Sequence, residues 1–274
     1  MKNLLLLYIL SLLSLSCDNK ARTRENNEMI PVEKNNGIGN GAPSLSRSVV
    51  STIEKAHNKT DFLSHEAISF KIDLKFGGNE RINGNLTVLT NTGKIRIDKT
   101  DGSSLIFDGT SAYLTPAKAN KKGNRFDMFT WAYFFTMPFK LSDDGVNIKV
   151  LPETRFDGKE RQTLNMTFEE GTGDSPDDWY MLYTNADNTL HAAGYVVTFQ
   201  SDLASAEKAP HAIVYSNYQN IEGVPIATNW KFYNYDKQLG LVGDPLGEAT
   251  ISDIHFVQPE ADFFSKPKDY APIN

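Results

Sequence analysis

From Ala67 to Phe76 apolar and polar residues alternate without a break. Ile68, Phe70, Ile72, Leu74 and Phe76 fall on one face; Ser69, Lys71, Asp73 and Lys75 fall on the other. A period of two sets one face of an extended chain against a core and the other in water, so the segment reads as a half-buried antiparallel strand. Weaker alternation runs through 85–90, 94–99, 104–107 and 112–115, with Asn91-Thr92-Gly93, Asp101-Gly102 and Asp108-Gly109 as turns between them. Further strands are predicted at 145–151, 161–168, 179–183, 190–200, 211–221, 226–235 and 248–257. The glycine-spaced stretch 240–247 reads as a long hairpin loop.

Two segments follow a different period. Leu45, Val49, Ile53 and Ala56 share one helical stripe within 44–57, which predicts an amphipathic helix at the start of the domain. Between Arg125 and Phe139, aromatic residues and methionines occupy every side of a second helix, which Pro138 should end. A helix that is apolar all round must be covered on most faces. It can plug a sheet, cover an apolar cavity, or do both. About a dozen strands and two helices in this order describe an α+β, mostly antiparallel fold: a long sheet curled into a half-barrel, with the helices packed on its concave face. A closed lipocalin-like barrel, with the second helix outside it or across its mouth, is the alternative.

Ahead of this domain, Lys2 precedes an apolar run from Leu4 to Leu15, well short of the roughly 18 residues of a membrane-crossing helix. Small Ser16 then stands before Cys17, the single cysteine of the chain. Residues 1–16 therefore read as a lipoprotein signal peptide, with Cys17 becoming the lipidated first residue. Ser14 and Leu15 depart from the usual order of such a cleavage box. The alternative is an ordinary signal peptide cut nearby, which would leave an unpaired thiol in an oxidising compartment. Residues 17–43 are rich in Asn, Lys, Arg, Glu and Gly and read as a flexible tether, and 44–274 as a single β-rich domain. The expected location is the cell envelope, lipid-anchored, on the outer membrane facing the periplasm or exposed at the surface. Several acyl chains on one residue would hold the protein stably there.

The net charge is −6, and one unit more negative once Lys2 leaves with the signal peptide. A nucleic-acid role has no electrostatic support. No nucleophile elbow, phosphate-binding glycine loop or zinc-binding helix is present, and no cofactor motif is evident. His57, His65, His191, His211 and His255 are scattered singly, a pattern of surface or core residues more than of a metal site. The acidic stretch from Glu169 to Asp178 carries hard oxygen ligands without the spacing of an EF-hand, and reads as a hairpin connection with calcium binding left open. Adjacent Asp177 and Asp178 on an extended chain point apart and do not make an acid/base pair.

Two stretches, Trp131-Ala132-Tyr133-Phe134-Phe135-Thr136-Met137-Pro138-Phe139-Lys140-Leu141 and Gly171-Thr172-Gly173-Asp174-Ser175-Pro176-Asp177-Asp178-Trp179-Tyr180-Met181-Leu182-Tyr183, resemble those of an uncharacterised family of Bacteroidota lipoproteins. That likeness covers roughly Ser44 to the C-terminus and implies no particular chemistry. More distantly, the order helix, strands, helix, strands is similar to that of the LolA and LolB lipoprotein carriers and of lipid-carrying mycobacterial lipoproteins. This layout implies a half-open barrel that holds acyl chains under helical lids. The expectation is then a non-enzymatic, membrane-anchored protein binding a lipid, an acyl chain or a lipoprotein, with an envelope protein as a further partner. The expected cavity lining is Phe126, Phe129, Tyr133, Phe134 and Met137 from the helical segment, and Ile72, Leu74, Phe168, Tyr180, Phe199, Trp230 and Phe232 from the sheet. Two rivals remain: a structural or envelope-assembly lipoprotein with a solid core, and a hydrolase with polar groups converging in a cleft.

Overall fold

The computed structural model describes residues 44–274. The expected signal peptide, Cys17 and the tether lie outside the described residues. One antiparallel sheet of thirteen strands organises the chain. Its strands are β1 (Ala67–Phe76), β2 (Asn79–Leu89), β3 (Ile95–Lys99), β4 (Ser104–Phe107), β5 (Ala112–Thr115), β6 (Val146–Phe156), β7 (Lys159–Phe168), β8 (Tyr180–Thr184), β9 (Leu190–Tyr195), β10 (His211–Ile221), β11 (Val224–Asp236), β12 (Gly240–Val257) and β13 (Ala271–Ile273). Across the sheet they run β13-β5-β4-β3-β2-β1-β12-β11-β10-β9-β8-β7-β6. Two meanders, β1 to β5 and β6 to β12, are thus sewn together where β1 pairs with β12. The sheet curls but leaves β13 and β6 as free edges, so the closed-barrel alternative does not hold. Edge strand β6 carries Lys149, Glu153 and Arg155, charges of the kind that discourage edge-to-edge pairing.

The order of the strands places β5 near one edge and β6 at the other, so the chain between them must cross the sheet. The crossing segment contains helix α3 (Asn124–Thr136), continued by a 3-10 turn (Met137–Phe139) that holds Pro138. Its aromatic residues meet strands across the width of the sheet: Phe135 stacks on Phe70 of β1 at 3.9 Å, Phe134 lies 5.0 Å from Tyr195 of β9, and Tyr133 lies 6.4 Å from Phe168 of β7. At its start, buried Asp127 accepts hydrogen bonds from Arg81 Nε and Trp131 Nε1, both at 2.9 Å. Helix α1 (Leu45–Ala56) packs beside β6 and is capped by the Ser44 hydroxyl, which accepts from Arg47 N. Short helices α2 (Lys59–Ser64) and α4 (Leu203–Ala206) complete the helices among the described residues.

The strict alternation of β1 is realised as expected. Ile68, Phe70, Ile72 and Leu74 are fully buried in the main core, which also takes residues from α1, α2 and α3. Each such side chain contributes roughly 1.5–3 kcal/mol. Sequence and structure part at several places: β2 begins at Asn79 rather than Asn85, β6 runs on to Phe156 rather than Leu151, and α2, α4 and β13 are not predicted. Strand β9 ends at Tyr195 rather than Gln200, and β12 begins at Gly240 rather than Glu248. Gly247 is required by close pairing with β1, since a Cβ there would stand 2.5 Å from the Lys75 carbonyl.

The opposite face of the sheet carries a smaller cluster of Phe156, Trp179, Tyr183, Ala192, Val196, Ala212 and Tyr235. Its Tyr183 and Tyr235 hydroxyls share a 2.7 Å hydrogen bond. The Tyr235 ring lies flat over Gly194, where a Cβ would meet ring atoms at 2.5–2.8 Å. Gly194→Ala is expected to destabilise the domain by about 1–3 kcal/mol. Denaturant unfolding checks this, and an unchanged midpoint would refute the packing account.

His57, at the C-terminus of α1, is fully buried, and its Nε2 accepts a hydrogen bond from Leu190 N at 2.9 Å. Burial lowers its pKa to about 4 from an ordinary 6.5. The unfolded chain therefore binds the proton first as pH falls. Stability that is complete above about pH 6.5 should be lost progressively down to about pH 4, by up to about 3 kcal/mol for this residue. His191, also lowered to about 4 chiefly by burial, adds a second contribution. The measurement is unfolding free energy against pH for the wild type and His57→Gln, which should show a clearly shallower slope between about pH 6.5 and pH 4.

Candidate functional site

On the side of β6 to β9, the outer face of α3 does not close against the sheet. An open cleft of about 590 Å³ remains there, within the roughly 300–1,000 Å³ typical of small-molecule sites. Its walls are α3 on one side and β6 to β8, Tyr195 and the segment after β9 on the other. The loop 169–178, the β2–β3 turn at Thr92 and the β4–β5 turn at Thr110 shape its rim.

Seven of the twelve apolar residues singled out from the sequence line this cleft: Phe126, Phe129, Tyr133, Phe134, Phe168, Tyr180 and Phe199. The other five do not. Phe232 is packed against Phe76, Trp131 and Phe134, with ring separations of 4.9, 5.8 and 6.2 Å. Ile72 and Leu74 are sealed in the middle of β1, between Phe70 under Phe135 and Phe76 beside Trp131. Met137 is fully buried in the 3-10 turn, and Trp230 packs on Phe135 and Tyr215. These five belong to the core under the crossing segment. The cleft lies on the far side of α3.

Sequence reasoning missed Phe107, Val146, Tyr195 and Val197, and all of the polar rim. Arg125, in the first turn of α3, holds Asp174 of the acidic loop in a bidentate ion pair, Nε to Oδ2 at 2.7 Å and Nη2 to Oδ1 at 2.8 Å. The same guanidinium lies 5.1 Å above the Phe129 ring. Lys140 pairs with Asp143 and donates to the Thr92 hydroxyl at 3.0 Å. Asp178 accepts from both the backbone N and the hydroxyl of Thr198 at 2.7 Å, while burial raises its pKa from the ordinary carboxylate value. The acidic stretch is thus part of the cleft mouth, and its readable signal was a run of carboxylates next to a strand rich in aromatics.

Burial also raises the pKa values of Tyr133, Tyr180 and Tyr195, which remain protonated phenols throughout the neutral range. No histidine lines the cleft. Among the described residues no group of three or more His, Cys, Asp and Glu is placed to hold a metal ion. A second hollow of about 510 Å³ lies between α1 and the β6–β7 hairpin, and polar residues dominate its lining. Among the described residues no helix is long and apolar enough to cross a membrane.

No protein-family model matches the sequence, and no curated relative matches it. Solved structures do. A LolA superfamily protein from Nitrosomonas europaea superposes with a TM-score of 0.52 at 11% identity, covering 81% of this chain and 97% of that one. A domain assigned to outer membrane lipoprotein sorting in Vibrio parahaemolyticus gives a TM-score of 0.48 at 13% identity, over 78% and 97% of the two chains. A DUF1329 family protein from Desulfovibrio piger gives 0.42 at 11%, over 80% and 97%. The Nitrosomonas likeness shows the fold: this chain has the mostly antiparallel, curled and unclosed sheet of a LolA superfamily structure.

Proposed function

We propose that this chain is a non-enzymatic, lipid-anchored envelope protein that binds a lipid, an acyl chain or an acylated protein in the cleft beside α3. The observation that carries this reading is a cleft of about 590 Å³ with phenylalanine and tyrosine walls and a charged rim. Such a site suits an amphiphile, with hydrocarbon against the aromatic rings and the polar end at the mouth. Each methylene buried would contribute about 0.8 kcal/mol, so a chain of a dozen carbons offers a large gross driving force before the cost of ordering it. The shared LolA superfamily fold supports the same reading. The leader and Cys17 support an anchor from the sequence side, which would keep the cleft within reach of a bilayer or a partner in the envelope.

The first test is native mass spectrometry of the intact chain produced in a lipid-containing host. Additional mass that disappears on delipidation is expected, and a clean apo mass would count against the proposal. Thr130→Trp, which adds bulk to the cleft wall on α3, should abolish most of that extra mass while leaving the melting temperature near its wild-type value. A second prediction concerns the clasp between Arg125 and Asp174, which ties the start of α3 to the rim loop. Arg125→Ala should accelerate both uptake and release of a fluorescent fatty-acyl probe severalfold. Its effect on folding stability should stay within about 1 kcal/mol, because the pair is partly exposed. Unchanged exchange rates in stopped-flow measurements would show that the clasp does not control the mouth.

A further inference from the structure

Tyrosines in the core of this protein satisfy their hydroxyls. Tyr183 and Tyr235 bond to each other, Tyr215 donates to the Phe134 carbonyl, Tyr218 to the Leu190 carbonyl, and Tyr113 to Asp108. Three tyrosines break the pattern. Among the described residues, the hydroxyls of Tyr133, Tyr180 and Tyr195 have no hydrogen-bond partner within the protein, and all three residues line the cleft. Tyr180 and Tyr195 are only 6% and 7% exposed, as cross-strand partners on β8 and β9. Their rings follow one another from the helix into the sheet, Tyr133 to Tyr180 at 5.7 Å and Tyr180 to Tyr195 at 6.1 Å. A wall needed only for hydrocarbon would be served by phenylalanine, which six cleft positions already use: Phe107, Phe126, Phe129, Phe134, Phe168 and Phe199. None of the three hydroxyls is sealed in the core; they belong to the cleft wall, so three donors with no partner inside the protein are available to a polar group of a ligand that reaches in.

The charges around them restrict what that group is. Asp178 stands close enough to disfavour a negative charge on any of the three tyrosines, and Asp143, Asp144 and Asp174 line the same cleft. Of the two cations in the lining, Arg125 is taken by Asp174 and Lys140 by Asp143. A carboxylate entering here meets no unengaged cation and a neighbouring negative charge, whereas a neutral carbonyl meets three hydroxyl donors.

Building on the lipid-binding reading above, we infer that Tyr133, Tyr180 and Tyr195 form a hydrogen-bond-donating subsite for the uncharged carbonyl of an acyl ester or acyl amide. The cleft accordingly discriminates against free fatty acids. Glycerolipids and acylated protein termini both present such a carbonyl.

The test is calorimetric titration of the intact chain with monododecanoylglycerol, N-dodecanoylglycinamide, dodecanoate at a pH where it is ionised, and the carbonyl-free probe N-phenylnaphthylamine. Wild type should bind the ester or the amide more tightly than dodecanoate; a preference for the ester identifies a glycerolipid, and a preference for the amide an acylated terminus. The double variant Tyr180→Phe, Tyr195→Phe should weaken the preferred carbonyl ligand about tenfold and leave N-phenylnaphthylamine binding unchanged. Retained probe binding also shows that the variant is folded. Asp178→Asn, which keeps an acceptor for Thr198, should strengthen dodecanoate binding severalfold. The subsite is overturned if the double variant binds the ester and the amide as wild type does, or if wild type prefers dodecanoate. If wild type binds neither the carbonyl ligands nor N-phenylnaphthylamine, the lipid-binding reading itself fails and takes the subsite with it.

Discussion

The constraint on which the structure rests is topological. Strands β5 and β6 are consecutive in sequence, yet β5 lies next to one edge of a thirteen-stranded sheet and β6 forms the other. The chain between them has to travel across the sheet, and its helical part lies between strands and whatever else occupies the curl. A segment that is apolar on all sides is the physical answer to that situation. Trp131 and Phe135 turn toward the core, Phe126, Phe129 and Tyr133 turn toward the cleft, and Asp127 is anchored by Arg81. Had the strands closed into a barrel, the same helix would have had to lie at the mouth or outside.

The cleft follows from the same geometry. Because the sheet stops at β6 instead of returning to β13, the far side of α3 has strands beneath it but no complete cover. The rim is then assembled from segments distant in sequence: a helix start at Arg125, a post-helix turn at Lys140 and Asp143, and an acidic loop at Asp174 and Asp178. Their mutual pairing keeps these charges at the mouth and leaves the walls aromatic. Separation of this kind needs no motif in the ordinary sense, which is why the chain carries none.

Much of this was legible in the chain, and what was not has identifiable causes. The alternation of β1, the helical stripe of α1 and the all-round apolar segment gave element types and nearly correct boundaries, because each is a local period imposed by one buried face. Strand β13, with three residues, and α2, with Phe62 as its buried apolar residue, have too little pattern to be seen. Of the expected lining, Phe126, Phe129, Tyr133 and Phe134 of α3 lie beside the cleft, whereas Ile72, Leu74, Met137, Trp230 and Phe232, expected there because they are large and apolar, lie in the packed core. Periodicity reports that a side chain faces inward. It does not distinguish packed interior from a hollow on the other side of a helix. The Arg125–Asp174 clasp was invisible for a different reason, since 49 residues separate its partners and nothing local relates them.

The seam between β1 and β12 bears on how the protein comes to exist at all. Ile68 and Phe256 are cross-strand partners, roughly 190 residues apart in a chain whose other neighbouring strands are mostly joined by short turns. Each meander can zip from its own hairpins, but the centre of the sheet must wait for β12, with only the short β13 to follow, and the chain-closure entropy for it must be met late. A polypeptide built this way stays without its middle until nearly its whole length is available.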